Sequence, residues 1–266
     1  MPSKRMPSKR RINKKRFGHI GLAALAAATV GVSAFALTSQ PAPGQSVVIA
    51  GPSISAATPT ATVAPAKVTL PTDPRLLFVG DSYTAGVGAD QPNQSWAYLA
   101  AQDLKYPFRV DGVGGTGFAW GGGAKDDMGR EYSVRLKEAA KRTDFAPNVV
   151  ILQGGQNDSL AKNNTAVQAA VKQTIEEARQ LWPNAQVIVQ GPSAPLPLAA
   201  DLRGVNTAVR AGAADAKAPF IDANTEGWFN NSNSKAMNFD GAHVNQAGHR
   251  LIADKFLAAW AKITAP

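Results

Sequence analysis

RLLFVGDSYTAGVG, residues 75 to 88, runs a short apolar segment into the turn Gly80-Asp81-Ser82-Tyr83. An apolar run that stops at glycine and is followed by Asp-Ser reads as a buried strand entering a helix. Gly, Asp and Ser suit any strand-to-helix turn, and Asp or Ser commonly caps the helix that follows. Taken alone, then, Ser82 is a turn residue. Whether it is also a nucleophile depends on what the rest of the chain places beside it.

Downstream, the same pattern recurs. Strand candidates are LLFVG (76–80), FRVDG (108–112), NVVILQG (148–154), QVIVQG (186–191) and PFIDA (219–223). They are short, apolar and rich in β-branched residues, as strands covered on both faces should be. Segments with helical periodicity alternate with them at 95–105, 130–142, 165–182, 201–217 and 246–262. The clearest is 165–182, where Val167, Val171, Ile175, Ala178 and Trp182 form one stripe and Thr165 with Gln168 makes a capping box. The alternation predicts an α/β fold: a three-layer αβα sandwich with a parallel sheet of about five strands, flavodoxin-like in its layering. Ligands of such folds sit at the carboxyl ends of the strands, where Gly80-Asp81-Ser82 falls.

Upstream, the chain changes character. All charges in residues 1–37 are basic, from Lys4 to Arg16, and IGLAALAAATVGVSAFAL (20–37) is uncharged. A basic segment followed by an apolar one is the arrangement of an export signal, with Ala34-Phe35-Ala36 as a small-x-small cleavage pattern. Its length also allows a retained signal-anchor. Either way the expected location is outside the cytoplasm, secreted or anchored to the outer face of the membrane by residues 20–37. The repeated MPSKR leaves the start at Met1 or Met6 open. Residues 38–74, rich in Pro, Ala, Thr, Ser and Gly, read as an extended linker, and residues 75–266 as the working domain.

Of the 28 Lys and Arg, eight lie in that leader, so the remainder is nearly balanced against 19 Asp and Glu. The formal net charge of +9 describes the leader, which excludes a nucleic-acid-binding reading of the domain. There is no cysteine, so disulfides and thiolate chemistry are excluded.

Three histidines remain to supply a base. His19 lies in the leader, and His249 opens the last helix, a capping or packing position. His243 follows Asp240 by three residues in NFDGAHVN, a spacing that lets the carboxylate fold back on the imidazole. For Asp-x-x-His alone an exposed loop histidine is the commoner reading. GGQND (154–158) follows the strand NVVILQ, so Asn157 could donate to a developing oxyanion; an Asn-Asp turn or cap competes. GVGGTGF (112–118) matches G-x-G-x-x-G, but FAWGGG follows where a dinucleotide loop would start its helix. Its glycines suit close backbone approach to a ligand. Two domain histidines without cysteine make no metal site, and no cofactor is expected.

In order along the chain, GDSY, GVGGTG, GGQND and DGAH resemble the four blocks of the SGNH/GDSL hydrolase family, and the resemblance spans residues 75–262. It implies Ser82 as nucleophile, His243 as base and Asp240 as its orienting partner. It also implies an oxyanion hole formed by the Ser82 and Gly117 backbone N–H groups and the Asn157 side chain. Gly112 stands where the family usually has Asn, which leaves Gly115 as an alternative to Gly117. Tyr83 stands where Leu is commoner, and is expected to alter packing more than chemistry. The implied activity is hydrolysis of an ester, of short acyl chain or an O-acetyl on a glycan, through an acyl-enzyme. Acyl transfer to an envelope glycan and a non-catalytic glycan-binding domain are the alternatives. Trp228 and Phe229, with Phe118 and Trp120, are expected to line a polar-aromatic cleft. The expected partner is a small-molecule or glycan ester. The protein is expected to be a monomer, with membrane contact only through an uncleaved N-terminal segment.

Overall fold

The computed structural model describes residues 67–265. The export segment expected over 1–37, and the linker over 38–74 except its last residues, lie outside them. Five parallel strands form one sheet: β1 (Leu76–Gly80), β2 (Phe108–Gly112), β3 (Val149–Gln153), β4 (Gln186–Gln190) and β5 (Phe220–Ile221), in the order β2-β1-β3-β4-β5. Strands β1 and β3 are buried at every residue, whereas β2, at an edge, is half-buried throughout. That difference follows the residues: LLFVG and VVILQ can lose water on both faces, and FRVDG, with Arg109 and Asp111, cannot.

The strand expected over 219–223 pairs only at Phe220 and Ile221. The Asp222 carboxylate ends it by accepting from Asn206 Nδ2 at 2.9 Å and from the Thr225 N–H at 3.0 Å, and by pairing with Arg210. These partners turn the chain out of the sheet.

The helices are α1 (Ser82–Ala85), α2 (Trp96–Leu104), α3 (Tyr132–Ala140), α4 (Asn164–Leu181), α5 (Leu198–Asp201), α6 (Arg203–Asp215), α7 (Ser234–Met237) and α8 (Gln246–Thr264). Helices α2 and α8 pack on each other, while α3, α4 and α6 form a separate contiguous layer, as right-handed crossovers on either side of β1 require. In α4 the expected stripe Val167, Val171, Ile175 and Ala178 is buried, and Trp182 sits just past the helix end. The cap differs from expectation: Asn163, not Thr165, is the N-cap and accepts the Ala166 N–H at 3.1 Å, two residues earlier, because the helix begins at Asn164. Between β1 and the α2/α8 layer, Phe78, Trp96 and Phe256 meet edge-on or tilted at 5.3–6.0 Å between ring centroids.

The domain also begins earlier than residue 75. Val68 is buried and donates its N–H to the Ile263 carbonyl of α8 at 2.8 Å. The connection from β1 runs to β2 on one side and that from β3 to β4 on the other, so a crevice opens between the carboxyl ends of β1 and β3.

Candidate active site

Helix α1 is a single turn. Its N-cap is Asp81, whose carboxylate accepts the Tyr83 N–H at 2.9 Å, and Gly86, at φ +89°, ends it in the left-handed region. This presents Ser82 directly above the end of β1, 8% exposed. Across the crevice, residues 238–245 form a small loop closed by an antiparallel bridge between Asn238 and buried Val244. Within it the Asp240 Oδ1 accepts the N–H groups of Ala242 at 3.0 Å and His243 at 2.8 Å. The same carboxylate meets His243 Nδ1 at 2.8 Å through Oδ2, and His243 Nε2 lies 2.9 Å from Ser82 Oγ.

Ser82, His243 and Asp240 therefore stand in one hydrogen-bonded line although 161 residues separate the serine from the histidine. With the Nδ1 proton donated to Asp240, Nε2 is the nitrogen left to accept the serine hydroxyl proton. Burial alone would raise the Asp240 pKa, but hydrogen bonds from the His243 ring and from the Ala242 and His243 N–H groups outweigh it. The carboxyl is held below its ordinary 3.8. His249 plays a different part. It is wholly buried, bridges the Trp96 N–H at 3.3 Å and the Val87 carbonyl at 3.1 Å, and burial lowers its pKa.

Asn157 opens a short 3-10 turn after β3, and its Nδ2 donates to the Thr116 carbonyl at 2.9 Å. One of its two N–H bonds thus fastens the glycine loop. Gly117 is placed otherwise than expected: its N–H donates to the Trp120 carbonyl at 2.7 Å and its carbonyl accepts from Tyr132, so neither faces Ser82. Glycine is required there because a Cβ would collide with the Asp158 carboxylate. The glycine of this loop that comes near the serine is Gly114, where an added Cβ would lie 3.7 Å from Ser82 Cβ. Gly115 follows at φ +77°. Gly112 is likewise explained by close approach, since a Cβ there would strike the backbone of Ala85 in α1.

Beneath the three residues lies a buried polar layer that the sequence reading missed. Gln153 Nε2 donates to Asp81 Oδ2 at 3.2 Å and to Gln156 Oε1 at 3.0 Å, and its Oε1 accepts from Thr84 Oγ1 at 2.7 Å. Asp158 accepts the N–H of Ala119 at 2.7 Å. Burial pushes Asp158 up to about 6 against the N–H groups of Ala119, Phe118 and Gly155. Burial likewise pushes Asp81 up to about 7 against the Tyr83 N–H and the Gln153 amide. The available signal was the polar Gln153 closing the apolar run VVILQ.

The aromatic cleft is corrected too. Trp228, Phe229 and Phe118 are at most 5% exposed and belong to the core; only Trp120 is half-buried. Two surface concavities lie elsewhere. One of about 780 Å³ runs beside β2 and α3, and one of about 540 Å³ is lined by Leu196, Asn231, Ser234, Lys235 and Asn238; neither is lined by Ser82 or His243.

A five-stranded parallel sheet between helices, with serine, histidine and aspartate aligned at the carboxyl ends of its strands, matches the α/β fold of SGNH hydrolases. The model of the GDSL-like Lipase/Acylhydrolase family matches residues 78–251, and the chain belongs to that family, as a carboxylic-ester hydrolase. It is 29% identical over 189 residues to the GDSL lipase Rv0518 of Mycobacterium tuberculosis (strain ATCC 25618 / H37Rv), covering 66% of this chain and 77% of that one. Among solved structures, it is similar to the psychrotrophic esterase EstA from Pseudoalteromonas sp., at 17% identity and TM-score 0.56, covering 71% of this chain and 98% of that one. It is also similar to a Corynascus thermopiles (Myceliophthora fergusii) carbohydrate esterase family 2 enzyme plus carbohydrate binding domain. There the identity is 19% and the TM-score 0.56, over 73% of this chain and 67% of that one. At these identities the structural likeness is one of fold.

Proposed function

We propose that the protein hydrolyses a short-chain ester through an acyl-enzyme on Ser82. The observation that carries this is the 2.9 Å contact of His243 Nε2 with Ser82 Oγ, backed by Asp240 at 2.8 Å on Nδ1. In this reading His243 takes the serine proton as Oγ attacks the ester carbonyl, and returns it to the leaving alcohol. Water then enters by the same route and Ser82 is released with the acid. Asp240 holds the imidazole tautomer and offsets its positive charge. The oxyanion donors are the Ser82 N–H, the second N–H of the Asn157 amide, and the backbone of the loop at Gly114 and Gly115 in place of Gly117.

For the alcohol part the reading favours an O-acylated glycan. Support comes from the carboxamides of Asn231 and Asn238 with Ser234 and Lys235, which line a polar concavity adjoining the 238–245 loop. The fold shared with a carbohydrate esterase family 2 enzyme is consistent with it. The basic, then apolar leader supports action outside the cytoplasm, which fractionation of cells would test. The deciding assay sets the full-length protein against p-nitrophenyl acetate, butyrate and octanoate and an acetylated xylan, beside Ser82→Ala. Wild-type turnover that falls by at least about a thousandfold in Ser82→Ala is expected. An undiminished rate in that variant would sink the assignment, and preference for the octanoate would overturn the short-chain reading.

A further inference from the structure

Both members of the Asp240 and His243 pair lie on a loop that solvent reaches, their side chains 43% and 22% exposed. Burial therefore does not fix the imidazole against Ser82. Something else must, because a loop that drifts by an ångström takes the base out of reach of the serine proton. Among the described residues, two side-chain hydrogen bonds join α1 to the 240–243 turn. One is the contact of Ser82 with His243 that catalysis itself must break and remake. The other is from Tyr83 Oη to the Ala242 carbonyl, at 2.6 Å.

The second bond has the properties of an anchor. Tyr83 is 2% exposed, and its own N–H is tied to Asp81. Its ring lies 5.7 Å from the His243 ring, tilted at 42°. The Ala242–His243 peptide it grips is the one whose N–H, that of His243, already binds Asp240 Oδ1 at 2.8 Å. A single peptide unit is thus held at one end by the carboxylate that orients His243 and at the other by a phenol rooted beside the nucleophile.

From this geometry we infer that Tyr83 is a positioning residue for the general base: its hydroxyl clamps the Ala242 carbonyl and so sets the distance between His243 and Ser82. The inference rests on the reading of Ser82 and His243 as nucleophile and base. It also revises the expectation that the tyrosine alters packing more than chemistry. Burial, with the nearby carboxylates of Asp81 and Asp240, pushes the phenol well above its ordinary range, so it remains a donor wherever the enzyme works. A leucine at this position could fill the space but could not reach across to the loop.

Tyr83→Phe isolates the hydroxyl, since the ring and its packing stay. Steady-state kinetics on p-nitrophenyl acetate should show kcat lowered about tenfold with KM within about twofold of wild type. The rate at which a fluorophosphonate labels Ser82 should fall by the same factor, and the melting temperature should stay within a few degrees. Rescue of the labelling rate is not expected from Tyr83→Leu, which restores the family's commoner residue without a donor. A Tyr83→Phe enzyme with wild-type kcat overturns the inference. So does one whose loss lies in KM, or whose loss is matched by a falling fraction of folded protein. Ser82→Ala run alongside separates the two claims. If it retains wild-type turnover, the nucleophile assignment has failed; if it is dead while Tyr83→Phe is fully active, only the positioning role has failed.

Discussion

Arg135 Nη1 donates to the carbonyl oxygen of Gly80 at 2.9 Å, binding helix α3 to the end of the strand that carries the nucleophile. The same guanidinium reaches Thr116 Oγ1 at 3.0 Å and pairs with Asp111 at 2.9 Å, so one buried cation ties β1, β2 and the glycine loop together. The five donors of arginine, in a fixed fork, suit acceptors spread over three segments; lysine has the charge but not the reach.

Arg135→Lys is accordingly expected to destabilise the protein by about 2–3 kcal/mol, read as a lower urea midpoint at unchanged slope. An unaltered midpoint would show that the strand ends hold together without the fork.

Asn157 fastens the Thr116 carbonyl through one N–H, and in the proposed mechanism its other N–H faces the oxyanion. Asn157→Ala should therefore lower kcat by about two orders of magnitude, the scale for losing one oxyanion donor. It should also release the glycine loop, visible as faster amide hydrogen exchange at residues 113–117. A variant that exchanges faster but keeps its kcat would leave Asn157 a loop fastener and nothing more.

The buried carboxyls give the protein a pH signature. Asp81 stands at about 7 folded against 3.8 for the free side chain, so folding takes up a proton in that interval. The stability this contributes is complete below about pH 4 and is lost as pH rises through 7, at about 1.4 kcal/mol per unit. Asp81→Asn should remove that loss. The melting temperature of the variant relative to wild type is expected to be higher at pH 8 than at pH 5. His249, whose pKa burial lowers, acts in the opposite sense as pH falls through 6.5, which is why the comparison is between the two proteins at each pH. A difference constant from pH 5 to 8 would mean that Asp81 stays ionised in the fold.

Most of the sheet was readable because the short apolar runs of β1, β3 and β4 alternate with helical periods, a pattern that suits strands covered by helices on both faces. Strand β5 was overestimated because the role of Asp222 depends on Asn206 and Arg210, which approach it only through helix α6. The line of Ser82, Asp240 and His243 could be anticipated from residue type and order. Gly117 could not be placed the same way, since what makes it glycine is the carboxylate of Asp158, 41 residues on. Nor could the aromatic cleft, because Trp228 and Phe229 look alike in sequence whether they face solvent or core. Tyr83 was the least readable residue of all: its partner is a backbone carbonyl, and a carbonyl has no letter in a sequence.

Ser82 follows the end of β1, whereas Asp240 and His243 share the loop before α8, and the serine precedes the histidine by 161 residues. A chain made from its amino terminus thus acquires its hydroxyl early and the imidazole that would activate it almost last, in a loop only a few residues before the final helix. On the proposed mechanism, a truncated form that lacks that loop has the hydroxyl but not its base. On that reading esterase turnover is also a report of completion: a hydrolytic signal says that the last loop of the chain has reached the first strand.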